Sequence, residues 1–328
     1  MNLNKIFQLV FSFILLLTIT SVTFFFWASS SNHKESGYSK LIENNFPAST
    51  DDDSVFSIIT YNIGYLSGLT NNLPVAKTKK LFDDNLIRAY HEFKRMDADI
   101  ICFQEIDYYA KRSYYVNQQE ALQKLGYNYI FQAVNWDINY LPFPYFPPSA
   151  HHGEVYSGQS IFSKQPLTNN ERIVLDRVAD SPFYRDAFYL DRLAQVSKST
   201  LGDDTVIIIN VHFEAFDMPT RTKHAKYIST LHTKYKDDYP VLILGDFNSD
   251  IRYPNAAIQL IVNLPGIKNA VDLDKKTYPS IKPTARLDYI FYNEDYIELK
   301  NSRILTEFGN VSDHLPVLLE FRVKKSNY

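Results

Sequence analysis

The chain has 328 residues, 45% hydrophobic and 15% aromatic, with 24 Tyr and 23 Phe against only 10 Gly. That composition excludes disorder, collagen-like repeats and a linker-rich protein, and it is ample for one large core. The net charge is −3, without the basic surplus expected of a protein that binds mainly by neutralising nucleic-acid phosphates.

The N-terminus comes first in chain order. Lys5 is the only Lys, Arg, Asp or Glu before Lys34, and the stretch Ile6 to Trp27 is an uncharged run of 22 residues. At helical rise such a run spans a bilayer core. It reads as an uncleaved signal anchor over 1–30, with a cleaved signal peptide ending near "WASSS" as the alternative. Lys5 favours a cytoplasmic N-terminus, which leaves the rest of the chain outside, membrane-anchored or, after cleavage, secreted or periplasmic. Residues 31–53, rich in Ser, Asn and Asp, read as a tether, and 54–325 as the folded domain.

From residue 54 strands and helices mix. "VFSIITYNI" predicts a strand and 81–96 an amphipathic helix with Phe82, Leu86, Tyr90 and Phe93 on one face. "ADIICFQEI" predicts a buried strand, with a helix after it over 117–125. Cys102, the only cysteine, lies inside that apolar strand and reads as an inert buried thiol; no intrachain disulfide exists. The segment 139–158, dense in Pro and aromatics, cannot be regular helix or central strand, and its His151 and His152 read as exposed loop histidines. "SGQSIFSK", "LAQVSKSTL" and "TVIIINVHF" predict strands, 220–236 a helix, "PVLILGDFN" a strand, and 254–263 a short helix. "RLDYIFY" and "LPVLLEFRV" close the chain as strands. Several strand–strand neighbours favour two packed sheets with helices outside.

Polar residues interrupt these strands at their ends: Asn62, Glu105, Asn210 and His212, Asp246 and Asn248, Asp288, and Asp313 with His314. Each alone has a structural explanation, such as a turn residue, a solvated strand end, an Asx motif or a core histidine. Repeated at strand end after strand end, they converge as ligand sites in α/β folds do. Carboxylates and amides suit a hard divalent cation, and scattered His with one Cys argue against structural zinc. Histidines opposite such an ion complement a phosphate, and a further Asp can orient and deprotonate water.

The series TYN, QE, NxH, GDFN, LDY and SDHxPV, in that order over about 54–323, closely resembles the endonuclease/exonuclease/phosphatase superfamily. The resemblance implies a four-layer α/β/β/α sandwich and Mg²⁺-dependent phosphoester hydrolysis, with Mn²⁺ as the alternative metal. By motif it implies Glu105 as principal metal ligand, with Asn62 beside it and Asp313 either on the metal side or anchoring the His314 network. It implies Asp246 as activator of water, Asn248 and His212 on the phosphate, and His314 at the scissile phosphate, oriented by Asp288. Asn210 and Arg221 are the further substrate-binding candidates, Arg221 also reading as a solvated helix residue.

The motifs define the reaction rather than the substrate. The anchor, the mildly acidic domain and the aromatic loop around Tyr140, Phe143, Tyr145 and Phe146 favour a lipid or other small phosphoester on a monomeric enzyme. Nucleic acid is the alternative substrate, with tyrosines stacking bases. A non-catalytic anchored binding protein is disfavoured, because Glu105, Asp246 and His314 are all present.

Overall fold

The computed structural model describes residues 3–47 and 54–324; residues 48–53 of the expected tether and residue 325 of the expected domain lie outside them. Seven strands form the first sheet. In spatial order they are β1 (Ser39–Glu43), β4 (Tyr129–Leu141), β5 (Gly153–Ser163), β3 (Ile100–Ala110), β2 (Phe56–Asn62), β13 (Val317–Val323) and β12 (Ile297–Ile304). The second sheet has six: β10 (Ile267–Asn269), β11 (Asp288–Asn293), β9 (Val241–Asp246), β8 (Asp204–His212), β7 (Leu193–Leu201) and β6 (Leu167–Val174). The helices are α1 (Leu3–Ser29), α2 (Lys79–Met96), α3 (Gln118–Gln123), α4 (Phe183–Asp186), α5 (Met218–Tyr235) and α6 (Gln259–Val262).

Period-2 alternation builds the layers. In β2, Ile59 and Tyr61 face outward with β3's Ile101 and Phe103, onto Phe82, Ala89 and Phe93 of α2. Ile58, Ile100 and Cys102 face inward against Ile208, Leu242, Leu244 and Ile290 of the second sheet. On the far side, Ile207, Ile209 and Ile243 pack on Ile228 and Leu231 of α5. The result is the expected four-layer α/β/β/α sandwich. Thr78 caps α2, its hydroxyl accepting from the Leu81 amide, and Asp217 caps α5 by accepting from Thr220.

Each sheet contains one parallel pair, β2–β3 and β8–β9. Their neighbours β13 and β11 run antiparallel to them, so they start at the end where the parallel strands stop. Polar side chains at the ends of three strands, at mid-length in β3, at the start of β11 and just before β13 therefore meet at one edge of the sandwich.

Three expectations are corrected. The segment read as a tether is docked over much of its length: Ser39–Glu43 pairs antiparallel with β4, and Asp137 accepts from the Asn32 and His33 amides. Polar composition suggested a linker, but an edge strand needs little apolar content when its backbone is paired. In 139–158, only the residues between β4 and β5 are irregular, and Gly153–Gly158 belongs to a strand with partners on both sides. All four prolines, at 142, 144, 147 and 148, fall in the connection, so the ladder is unbroken. His152 is buried rather than exposed, its ring edge-on to Tyr65 and Phe143.

Candidate active site

The inward register of each central strand ends in a polar residue. Ile58, Thr60, Asn62 in β2 is one such series; Ile208, Asn210, His212 in β8 and Leu242, Leu244, Asp246 in β9 are the others. In β3 the inward series reaches Gln104, and then the strand bulges against β5 between Phe103 and Ile106. Glu105 sits in this bulge at φ +53, which adds it to a cluster that strict alternation would have turned it from. Asn248, just past β9, is also left-handed at φ +46. Such conformations cost about 1–3 kcal/mol each and cluster where function requires them.

The carboxylates are held together by amides. Asn62 Nδ2 donates to Glu105 at 3.2 Å and to Asp246 at 2.9 Å. Asn71 Nδ2 donates to Glu105 at 3.2 Å and to Asp313 at 3.3 Å. The Asn248 backbone and side chain both donate to Asp246, at 2.8 and 3.3 Å. His314 Nδ1 lies 2.9 Å from Asp288 Oδ2, and its Nε2 lies 3.9 Å from Asp246. Tyr278 packs on the His314 ring at 4.9 Å between centroids.

Burial pushes the Asp246 carboxyl up to about 6, against the pull of His314, with Asp288 adding to the rise. Burial and the nearby Glu105 also raise Asp313. Burial alone would lower His314, but the carboxylates of Asp288 and Asp246 outweigh it and hold the imidazole well above its ordinary range. At neutral pH Asp246 is therefore a carboxylate and His314 an imidazolium. His212 goes the other way: burial and the Arg192 charge hold it well below the ordinary range, so it is neutral.

Asp246, Asp288 and His314 approach one another closely enough to suggest a metal triad. The 2.9 Å contact between His314 Nδ1 and Asp288 Oδ2 already engages that pair with each other, so we assign the trio to hydrogen bonding. The donor set that fits a hard cation is Glu105, Asp313 and the face of Asp246 toward Glu105. Four buried or half-buried carboxyls around one imidazolium leave negative charge that a divalent cation would neutralise. Asn71 presents its N–H groups to Glu105 and Asp313 and so holds these two acids together.

Other expectations meet a mixed outcome. The structure brings together Asn62, Glu105, His212, Asp246, Asn248, Asp288, Asp313 and His314. Asn62, however, presents its N–H groups to the acids while its Oδ1 accepts from Gly64, so it tethers the carboxylates instead of offering them an oxygen. Asn210 is not at the site. Its amide is fully buried between the sheets, accepting from Gln104 at 2.6 Å and donating to Gln195 at 2.8 Å and Phe103 at 3.2 Å. Arg221 is turned back on its own chain, capping the carbonyls of Glu214 and Ala215, so neither the phosphate nor the solvated reading describes it.

Two residues were missed. Arg192, buried just before β7, places Nη1 2.7 Å from His212 Nε2, and its Nε donates to Glu214 at 3.4 Å. A basic residue at the start of a strand that pairs with "NVH" was the only signal of it. Asn71 lies in a loop whose sequence carries no signal at all.

The endonuclease/exonuclease/phosphatase family model matches residues 59–314. Among solved structures, an endonuclease/exonuclease/phosphatase from Beutenbergia cavernae is similar at TM-score 0.59 and 14% identity, over 82% of this chain and 72% of that one. D. rerio TDP2 complexed with single strand DNA product is similar at 0.58 and 16%, over 83% and 100%. Bacteroides thetaiotaomicron mannosyl-6-phosphatase is similar at 0.54 and 16%, over 81% and 99%. No curated protein matches the chain in sequence. Fold and site together define a phosphoester hydrolase. The chain belongs to the endonuclease/exonuclease/phosphatase family, whose members are generally dependent on a divalent metal.

Proposed function

We propose that this chain hydrolyses a lipid or other small phosphoester by attack of water on phosphorus, anchored to a membrane by α1 with the domain on the extracytoplasmic side. The observation that carries the catalytic part is geometric: the buried Asp246 carboxyl, held by the Asn62 and Asn248 amides, lies 3.9 Å from Nε2 of His314, whose Nδ1 is held by Asp288 at 2.9 Å.

In this reading Asp246 orients the attacking water and takes its proton. Its position is fixed by the amide donors of Asn62 and Asn248. His314, held by Asp288, donates from Nε2 to the phosphoryl group as charge develops there. Neutral His212, with the Arg192 guanidinium against it, lines the same wall and favours an anion. Glu105 and Asp313 would hold Mg²⁺, or Mn²⁺, which when bound supplies charge neutralisation and polarisation of the phosphoryl oxygens.

The lipid preference rests on α1, which is long and apolar enough to cross a membrane, and on the mildly acidic domain. The test presents the chain, with Mg²⁺, to duplex DNA, phosphatidylinositol or sphingomyelin vesicles, and soluble inositol phosphates, with Asp246→Ala as blank. Lipid cleavage with untouched DNA is expected; DNA cleavage with untouched lipid would overturn the substrate reading and favour a nuclease. N-terminal sequencing of the mature protein checks the anchor, which must retain residues 3–29.

A further inference from the structure

Five large aromatic side chains stand exposed on the connection before β5, on α4 and on the loop before α5: Tyr145, Phe146, Phe183, Tyr184 and Phe216, each at least 59% exposed. Apolar rings spread over neighbouring loops mark a contact surface more often than scattered single ones do. These loops are linked, by stacking and hydrogen bonds, to the last turns of α1. Phe25 packs edge-on against Phe183 at 5.9 Å and Phe188 at 5.5 Å. Phe24 and Trp27 pack on Tyr140 at 5.8 and 6.4 Å. The Tyr140 hydroxyl meets His151 Nδ1 at 2.8 Å, and His151 Nε2 meets the Tyr145 carbonyl at 3.2 Å. Asn139 Nδ2 donates to the carbonyls of Trp27 and Ser30, closing the end of the helix onto β4.

The length of α1 sets the depth at which this happens. At about 1.5 Å per residue, Leu3 to Thr23 already spans about 30 Å, the hydrocarbon thickness of a bilayer. The residues that touch the domain, from Phe24 to Ser29, then lie in the headgroup layer, which adds roughly 5–8 Å on each side. Counting instead from Ile6 moves them only to the hydrocarbon edge. Either way the rings against them sit at the depth where membrane proteins concentrate aromatic side chains.

The same edge of the first sheet carries the reaction centre: β5 runs antiparallel to both β3 and β4, so Asn139–Leu141 lie at the end toward which β3 runs past Glu105. Phe216 lines a crevice with Arg185, Tyr189 and Glu214. From its wall Tyr189 donates to both Glu214 oxygens at 2.9 Å, Glu214 accepts from Arg192, and Arg192 reaches His212.

We infer that these aromatic loops form a bilayer-docking rim around the exit of α1, which holds the mouth of the active site against the headgroups of the membrane that α1 crosses. The occupant is the lipid interface itself, because the rim is continuous with the end of a membrane-length helix. The inference rests on the anchored reading given above and extends it to orientation: the substrate would be a phosphoester of that membrane surface, reached without leaving it.

The experiment uses the full-length chain in phosphatidylcholine vesicles. Phe146→Cys, Phe183→Cys and Ile87→Cys variants are labelled with an environment-sensitive fluorophore; the native Cys102 is buried and stays unlabelled. Ile87 is exposed on α2, so it reports a surface outside the rim. Lipids spin-labelled near the headgroup should quench positions 146 and 183 and leave 87 bright. Quenching at none of the three, or equally at all three, overturns the rim. This readout needs no turnover, so it stands apart from the catalytic reading. In addition, Tyr145→Ser/Phe146→Ser/Phe183→Ser should lower turnover of vesicle lipid by at least about tenfold relative to a soluble chromogenic phosphodiester, because α1 still anchors the chain but the site is no longer held in position against the headgroups. An unchanged ratio also overturns the inference, whereas no turnover of either substrate by the parent chain would overturn the phosphoesterase reading alone.

Discussion

Gly158→Ala probes the joint between the scaffold and the site. Gly158 pairs with Val134 of β4 on one side and with Ile106 on the other, immediately past the bulge that carries Glu105. A Cβ there would lie 2.0 Å from the Ala133 carbonyl oxygen, a full 1.0 Å inside the 3.0 Å that real Cβ contacts respect. The obstacle is backbone, so no side-chain rotation relieves it. The strands must part by about 1 Å of their ~4.8 Å spacing, which weakens about two ladder hydrogen bonds at ~1 kcal/mol each. Overpacking in a close-packed core adds about 1–3 kcal/mol. The expected loss is therefore about 3–5 kcal/mol, a large part of the ~5–15 kcal/mol that typical domains possess. At roughly 2–4 °C per kcal/mol for a domain of this size, thermal unfolding followed by circular dichroism should fall by about 6–20 °C. Because β3 must shift with β5, Mn²⁺ affinity measured calorimetrically on the folded variant should also weaken. A midpoint within about 2 °C of the parent, with unchanged Mn²⁺ affinity, would refute the reasoning that β5 packing holds the Glu105 bulge in place.

Glu105→Ala should abolish calorimetric Mg²⁺ or Mn²⁺ binding together with turnover; undiminished turnover would sink the metal assignment. Asp246→Asn should lower kcat by at least about 10²-fold, the low end of what a positioned base contributes. In metal-free protein, the infrared signal of protonated carboxyl should fall between about pH 5 and about pH 7.5, and Asp246→Asn should remove the component that titrates at about 6. Asp288→Asn removes a carboxylate that raises the His314 titration. The imidazolium is then lost at lower pH, so the alkaline limb of the pH–rate profile should move downward; a limb that stays in place would remove His314 from the acid role.

Much of this site was legible because strand chemistry is local. A strand end is where an inward-facing position meets other polar side chains instead of the apolar core, so Asn62, His212 and Asp246 declare themselves wherever an apolar period-2 run ends in a polar residue. Glu105 was legible as a polar interruption, although strict alternation would have pointed Gln104, not Glu105, inward. Asn210 shows the opposite error. It shares the inward face with His212 but lies one step deeper, where Gln104 and Gln195 satisfy it completely and no group remains for a substrate.

The sequence by itself determined two packed sheets with helices outside, because periodicity is a property of neighbours along the chain, and the order of the motifs, whose resemblance to the family implied the reaction class. Only the tertiary structure decided which groups share a proton, which carboxylates share an amide, and that Arg192 and Asn71 belong to the site at all. It also decided that the stretch read as a tether is an edge strand and that the last turns of α1 pack on the aromatic loops. Those are contacts between residues far apart in sequence, fixed by sheet register and loop closure, and no local pattern encodes them.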